Sequence, residues 1–327
     1  MKHHLLHVLR HWEPGKDDHQ WLLATVIDTQ GSSYRKAGAM MLFNDSGEQL
    51  GVVSGGCLES DVLHQARMCW ETQTAKTVTY DMQEEGDIAW RLGIGCGGEV
   101  TLLLQPVSAE NKYLGLQHVL AALESGQGVD YAVEISASTP MARVNDVPTD
   151  KEKWFTHRIT PPPALAILGG GVDARPVAQM ANLLGWRVHV NDPRARYARE
   201  ADFPGSKVTA SPTDKLFNES WLADADAIIV MHHQVTMDAN ALTCLAEIAV
   251  PRLRYLALLG PSHRCEKVLD EAKIPLSALP VELQSPAGLA LGGELPESIA
   301  LSMIAQAHAI LYNKSAVPLA GKPCSFG

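Results

Sequence analysis

Two cysteines stand where the backbone is least encumbered. Cys57 follows Gly55 and Gly56 in VSGGCLESDV, and Cys96 sits among Gly93, Gly95, Gly97 and Gly98 in GIGCGGEV. A cysteine that only fills core volume usually falls in an apolar run, whereas flanking glycines let a large group approach the main chain. A helix starting near Cys57 would lower its thiol pKa through the helix dipole. Glu59 and Asp61 oppose that shift by placing negative charge nearby. A soft metal centre would also stabilise a thiolate. Zinc is disfavoured, because no C-x-x-C pair and no third and fourth ligand accompany these thiols. The competing reading is that both glycine clusters are tight turns whose thiols fill small gaps.

A second constellation begins at Gly169. Gly169-Gly170-Gly171-Val172-Asp173-Ala174 fits the G-x-G-x-x-G/A pattern between an apolar strand, ALAIL, and a helical stretch, VDARPVAQMANLLG. That context is the one the motif requires. Gly169 allows the tight turn, Gly171 lets the backbone reach a diphosphate, and Ala174 lets helix and strand pack closely. The helix N-terminus supplies the anion site. Asp192 closes the next strand about 20 residues on, where an acid usually takes ribose hydroxyls. Asp173 places a carboxylate near the diphosphate position; it also reads as a first-turn acid favoured by the helix dipole. His232 and His233 end the strand AIIVMHH, either as ligand contacts at a sheet edge or as hydrogen-bonded loop histidines.

Three further groups carry weaker signals. GSSYRKAGAMM offers Gly31, two hydroxyls and Arg35 beside Lys36, a composition that can hold a phosphate or form a solvated hairpin tip. His3, His7 and His11 recur at i, i+4 and i+8, which is read as an exposed helix face because no carboxylate partner is apparent in the sequence. Cys69, Cys244, Cys265 and Cys324 read as helix or tail residues without visible chemistry.

The elements that must position these groups fall into two parts. Up to residue 106 the chain is strand-rich: LLATVIDT, AGAMMLF, EQLGVVS, KTVTYDM and EVTLLLQPV are apolar runs bounded by turn residues, with one helix after Cys57. Residues 107–163 read as a connecting segment that contains a helix over roughly 112–124 and a strand, VDYAVEIS, and closes on three prolines. From 164 to 327 strands alternate with helices (ALAIL, WRVHV, DAIIVMHH, YLALLGPS), so a parallel sheet with right-handed crossovers is expected, followed by a helical tail. The fold class expected is therefore α/β: an N-terminal α+β strand-rich domain, then a C-terminal Rossmann-like doubly wound parallel sheet.

Composition narrows the function classes. The chain has 327 residues, 46% hydrophobic and 20% charged, as in ordinary globular proteins. A net charge of −10 argues against nucleic acid, whose phosphates need a basic face. No apolar run approaches the ~20 residues that cross a bilayer, and no signal-peptide core is visible. Six cysteines without framework spacing point to reduced thiols and a cytoplasmic setting.

GSSYRKAGAMMLFNDSGEQLGVVSGGCLESDV and GIGCGGEVTLLLQPV resemble the N-terminal domain of the XdhC/CoxI family, the xanthine dehydrogenase accessory factors. ILGGGVDARPVAQMANLLGWRVHVNDPR, ADAIIVMHHQVTMDANAL, YLALLGPSHR and PAGLALGGELPESIALSMIA resemble its C-terminal Rossmann domain and tail. The SGGC-[LV]-E segment is specific; the Rossmann part alone is not. The resemblance implies maturation of molybdenum hydroxylases: binding of molybdenum cofactor, as molybdopterin or its cytosine dinucleotide form, support of its sulfuration, and insertion into xanthine or aldehyde dehydrogenase. The partners implied are the apo-hydroxylase and a cysteine desulfurase, and a homodimer is compatible with this reading. By position, Cys57 and Cys96 would face the molybdenum, with Gly55, Gly56 and Arg35 beside them. Gly169, Gly171, Asp173, Asp192 and His232 would line the nucleotide-like half. Many members carry His after the second loop glycine, a Thr-His-Asp at the strand end and an Asp in the tail, where this chain has Val172, His232-His233-Gln234 and Ala290. Those departures suit a carrier better than an enzyme with its own turnover. The alternative is an NAD(P)-dependent oxidoreductase whose first domain binds substrate.

Overall fold

The computed structural model describes residues 3–54, 58–81 and 98–318. The chain divides into two compact units, Met1–Pro162 and Pro163–Gly327.

In the first unit, β1 (Trp21–Gly31), β2 (Met40–Asn44), β3 (Gln49–Gly51), β4 (Lys76–Asp81) and β5 (Gly98–Val107) form an antiparallel sheet of order β3-β2-β1-β5-β4. Successive strand residues face opposite sides, and here both sides are buried. Leu23, Leu42, Leu50, Leu103 and Val107 join one apolar cluster, and Leu22, Met41, Phe43, Leu102 and Leu104 join another. Coverage on both faces explains why MMLFN reads as a continuous apolar run rather than an alternation. Helix α1 (Leu5–Trp12) lies on the first face through Leu6, Leu9 and Trp12, and α2 (Glu59–Thr72) lies on the second through Val62, Ala66 and Cys69.

Residues 107–163, expected from their polar sequence to connect two domains, belong to this unit up to Pro162. They form α3 (Leu116–Glu124) and a three-stranded antiparallel sheet of β6 (Val129–Glu134), β7 (Ala142–Val144) and β8 (Trp154–Ile159), order β7-β6-β8. Leu116, Val119, Leu123, Tyr131, Val133 and Ile159 pack on the face that carries Leu23 and Leu103. The physical reason is coverage: α1 alone is too short to shield that side of a five-stranded sheet.

The second unit is a sheet of order β11-β10-β9-β12-β13-β14, parallel throughout, from β9 (Ala164–Leu168), β10 (Arg187–Asn191), β11 (Lys207–Thr209), β12 (Ala227–Val230), β13 (Tyr255–Leu258) and β14 (Leu283–Gln284). Helices α4 (Ala174–Leu183) and α7 (Pro296–Leu311) cover the face of Leu165 and Ile167. Helices α5 (Val235–Glu247) and α6 (Ser262–Ala272) cover the face of Ala166 and Leu168. Strand order reverses beside β9, and the crevice outside the carboxyl ends of β9 and β12 is where such sheets bind ligands. The doubly wound parallel sheet expected from the sequence is thus observed. Among the described residues, no helix is long and apolar enough to cross a membrane.

Three half-buried histidines make stability pH-dependent. Burial lowers His157 to about 4, between Phe155 and Tyr131, and neither ring nitrogen has a hydrogen-bond partner among the described residues. Burial, reinforced by His7, lowers His4 to about 4; burial, with Lys207, does the same for His189. Each ring stays neutral in the folded chain but takes a proton near pH 6.5 once unfolded. Their contribution is therefore present above about pH 6.5 and is lost as pH falls toward 4. Urea midpoints measured from pH 8 to pH 4.5 should fall through that window, and His157→Phe should flatten the decline for the first unit. An unchanged slope in that variant would assign the decline elsewhere.

Candidate functional site

The carboxyl edge of the parallel sheet is built on three consecutive glycines with different duties. Gly169 has φ +120°, and a Cβ there would lie 2.5 Å from the His232 nitrogen and the Met231 carbonyl. A Cβ on Gly170 would collide with the Tyr197 carbonyl oxygen. Gly171 meets only the His233 ring, at 3.5 Å, an ordinary contact. The first two glycines are thus required by packing, and Gly171 alone leaves its surface for a ligand. Ala174 follows as the buried small residue that lets α4 lie close to the sheet.

Asp192 ends the second strand of this unit as expected, but its side chain is 0% exposed and both oxygens are engaged. Oδ2 accepts from the Gly170 N–H at 2.9 Å and from Arg194 Nη2 at 2.7 Å; Oδ1 accepts from Arg194 Nε and from the Arg194 amide, each at 2.9 Å. Burial pushes this carboxyl up, yet the Arg194 and Gly170 hydrogen bonds outweigh it and the net shift is downward. In this structure the carboxylate holds the glycine loop. Arg194 also donates to the His232 carbonyl at 3.2 Å and lies over the Tyr197 ring at 4.3 Å, so one guanidinium joins the ends of β10 and β12.

His232 is buried. Asp238 Oδ1 accepts from the His232 amide at 3.0 Å and pairs with ring Nδ1 at 2.9 Å, while Asp238 Oδ2 pairs with Arg264. Arg264 donates further to the Leu259 carbonyl at 2.8 Å. With Asp238 ionised, Nδ1 carries the proton and Nε2 faces away from the carboxylate. Nε2 is buried and has no hydrogen-bond partner among the described residues. Next to it, His233 adopts φ +59° and pairs through Nε2 with Asp173 Oδ2 at 2.9 Å. Asp173 occupies the N-cap position of α4 without a side-chain capping bond; its carboxylate turns to His233 instead.

Of the residues singled out in the sequence, Gly169, Gly171, Asp173, Asp192 and His232 therefore meet in one crevice. Arg35 lies in the first unit, half-buried in the β1–β2 connection, where its charge acts on the His4 ring. Gly55, Gly56, Cys57 and Cys96 lie outside the described residues. On either side of residues 55–57 in the sequence, Ser54 Oγ accepts from the Leu58 amide at 3.3 Å, and further on Asp61 accepts from the Tyr80 hydroxyl at 2.7 Å. Burial raises the Cys69 thiol, in keeping with an inert core residue. His11 pairs with Glu48 at 3.0 Å, a carboxylate 37 positions away that no local reading could supply. No cluster of three or more His, Cys, Asp or Glu suited to a metal occurs among the described residues.

Three residues of the crevice escaped the sequence reading. Arg194 was signalled only by standing two positions after Asp192. Asp238 was more legible: Val235, Asp238, Leu242 and Leu245 share a helical spacing, which puts an acid on the buried stripe of α5. Arg264 carried no local signal.

Residues 165–307 match the family described as XdhC Rossmann domain, and residues 16–81 match the XdhC and CoxI family. A Bacillus subtilis (strain 168) protein, named as a probable xanthine dehydrogenase subunit, is 31% identical, over 89% of this chain and 93% of its own length. The molybdenum cofactor insertion chaperone PaoD of Escherichia coli (strain K12) is 24% identical, over 88% of this chain and 83% of its own. A solved structure described as a xanthine dehydrogenase from Bacillus halodurans superposes with a TM-score of 0.80 at 30% identity, covering 98% of both chains.

Proposed function

This chain belongs to the XdhC and CoxI family, and on that premise we propose that it is an accessory factor of molybdoenzyme maturation, carrying molybdenum cofactor to an apo-hydroxylase. The observation that supports this most is the match to an insertion chaperone over more than four-fifths of both chains. The crevice is compatible with it: a helix N-terminus and an open Gly171 can receive the phosphate end of a pterin or of its cytosine dinucleotide form. Cys57 and Cys96, whose glycine neighbours Gly55, Gly56, Gly95 and Gly97 leave the backbone open to a bulky group, are the candidate contacts of molybdenum. Support of sulfuration, with a cysteine desulfurase as partner, belongs to the same reading.

A second reading, an NAD(P)-dependent oxidoreductase, draws on the strand order and on an acid at Asp192. Against it stand both Asp192 oxygens, already committed to Gly170 and Arg194, and the Asp173 carboxylate beside the loop.

Protein purified from molybdenum-replete cells should retain molybdenum and pterin together, read by elemental analysis and by pterin fluorescence after oxidation. Cys57→Ser should lower that retention and the activation of an apo-hydroxylase in parallel, with an unchanged unfolding midpoint. Protein free of pterin that binds NADH tightly and turns over a small carbonyl compound would replace the carrier by the oxidoreductase.

A further inference from the structure

At the close of the second strand of a doubly wound sheet, an acid ordinarily accepts from sugar hydroxyls, or a nearby arginine takes a phosphate carried on the sugar. In this chain the acid is turned inward. Asp192 is 0% exposed, and its oxygens are used by the Gly170 amide and by Arg194. A sugar diol therefore meets no free carboxylate there. What stands outward is cationic. Arg194 grips Asp192 through Nε and Nη2, so the planar guanidinium turns Nη1 away from the carboxylate, and no hydrogen bond engages Nη1 among the described residues. Arg196, two positions on, is exposed and forms no ion pair among the described residues. Both guanidinium groups lie over the Tyr197 ring, 4.3 and 4.7 Å from its centre. Tyr197 in turn abuts the glycine loop, since its carbonyl oxygen occupies the space that a Cβ on Gly170 would take. Of the acids in 193–202, Asp202 is shared by Arg175 and Arg199, and Glu200 is exposed.

We propose that this cationic shelf is a second anion seat, and that the crevice takes a nucleotide whose ribose carries a phosphate monoester in preference to one with a free sugar diol. The 5′-phosphate of such a nucleotide would lie at the glycine loop, and its sugar phosphate would meet Arg194 Nη1 and Arg196. A guanidinium presents its N–H groups in a plane that matches phosphate oxygens, and charge-assisted hydrogen bonds of this kind are the strong ones. Arg194 is held in advance by Asp192 and by the His232 carbonyl, and the Tyr197 ring supports both arginines through cation–π contact. Little side-chain freedom is then left for binding to remove. Asp192 neutralises Arg194, which leaves Arg196 as the charge without a counter-ion. A neutral diol gains only ordinary hydrogen bonds from these groups. The seat does not depend on the pterin cargo. It assigns a further ligand class to the same crevice, one that would compete at the glycine loop with the phosphate end of any cargo.

The test is calorimetry of the full chain with adenosine 5′-monophosphate, adenosine 2′,5′-bisphosphate and adenosine 3′,5′-bisphosphate, at one pH and ionic strength. At least one bisphosphate should bind about tenfold tighter than the monophosphate, the size of one charge-assisted hydrogen bond. Added salt should narrow that preference, because Arg196 is exposed. Arg194 also holds Asp192, and its removal would strand a buried carboxylate, so Arg196 is the residue to change. Arg196→Ala should lower bisphosphate affinity by about tenfold, to the level of the monophosphate, at an unchanged unfolding midpoint. Arg196→Lys, which keeps the charge and loses the fork, should retain part of the preference. Preference for the 2′ isomer and preference for the 3′ isomer identify different nucleotide sources, and either supports the seat. Equal affinity for all three probes, a preference that survives Arg196→Ala, or no binding of any probe would overturn it. Pterin retention is measured separately. A chain that prefers a bisphosphate yet carries no pterin would refute the cargo and leave the seat standing, and the converse result would refute the seat alone.

Discussion

Gly169→Ala should cost the second unit about 3 kcal/mol or more, whereas Gly171→Ala, two residues on, should leave its stability nearly unchanged. At Gly169 two penalties combine. A backbone at φ +120° is scarcely accessible to a residue with a Cβ, and that Cβ would lie 2.5 Å from the Met231 and His232 backbone, which cannot swing aside as a side chain could. At Gly171 the nearest atom is a His233 ring carbon at 3.5 Å, and nothing must move. Differential scanning calorimetry of the full chain should show the transition of the second unit falling by roughly 10 °C in the first variant, at roughly 2–4 °C per kcal/mol for a domain of this size, and hardly at all in the second. Gly171→Ala should instead weaken retention of a phosphate-bearing ligand, because its methyl stands on the surface the ligand approaches. Equal melting temperatures for the two variants would mean that the loop is softer than its contacts imply.

Asp238→Ala should be the most damaging single change among the crevice side chains. It leaves the half-buried Arg264 guanidinium without its carboxylate and the buried His232 amide and ring without their acceptor. Breaking a buried pair by removing one partner costs about 3–5 kcal/mol. Asp238→Ala with Arg264→Ala should be less destabilising than the sum of the two singles, because the stranded cation is gone. Burial raises the Asp238 carboxyl, but the His232 and Arg264 hydrogen bonds outweigh it and the net shift is downward from 3.8. A depressed carboxyl stabilises the fold above its unfolded pKa, and that contribution is lost as pH falls below about 3.8 through the folded value. Asp192 acts in the same direction. Urea titrations below pH 4 should therefore be flatter in Asp238→Asn than in the wild type. Strict additivity of the double variant, or an unaltered acid limb, would show that Asp238 is not the hub of these contacts.

Much of the architecture was legible from local pattern. Helical spacing and alternating apolar residues report which face of an element is buried, and glycine reports where a Cβ cannot fit. Together these located the strands, the glycine loop, Asp192 and His232, and the order strand–loop–helix–strand–acid implied a parallel sheet. The segment 107–163 was harder, since two of its strands, β7 and β8, are mostly half-buried. Its place in the first unit depends on which sheet face needs a cover, a demand that exists only once the sheet has formed.

What the chain's own sequence determined is most of the elements, the doubly wound topology and the family, because these depend on residues near one another along the chain. Only tertiary structure decided how the crevice is wired. Gly170 and Asp192 are 22 positions apart, Asp238 and Arg264 are 26 apart, and Arg194 and His232 are 38 apart. No periodicity couples residues at such separations. Which carboxylate meets which cation is set by the strand order, which brings the ends of β9, β10 and β12 together, and by the helices that carry Asp238 and Arg264 back to that edge. For that reason an acid expected to hold a ribose is found holding the loop, and a strand-end histidine is found oriented by an aspartate from the next helix.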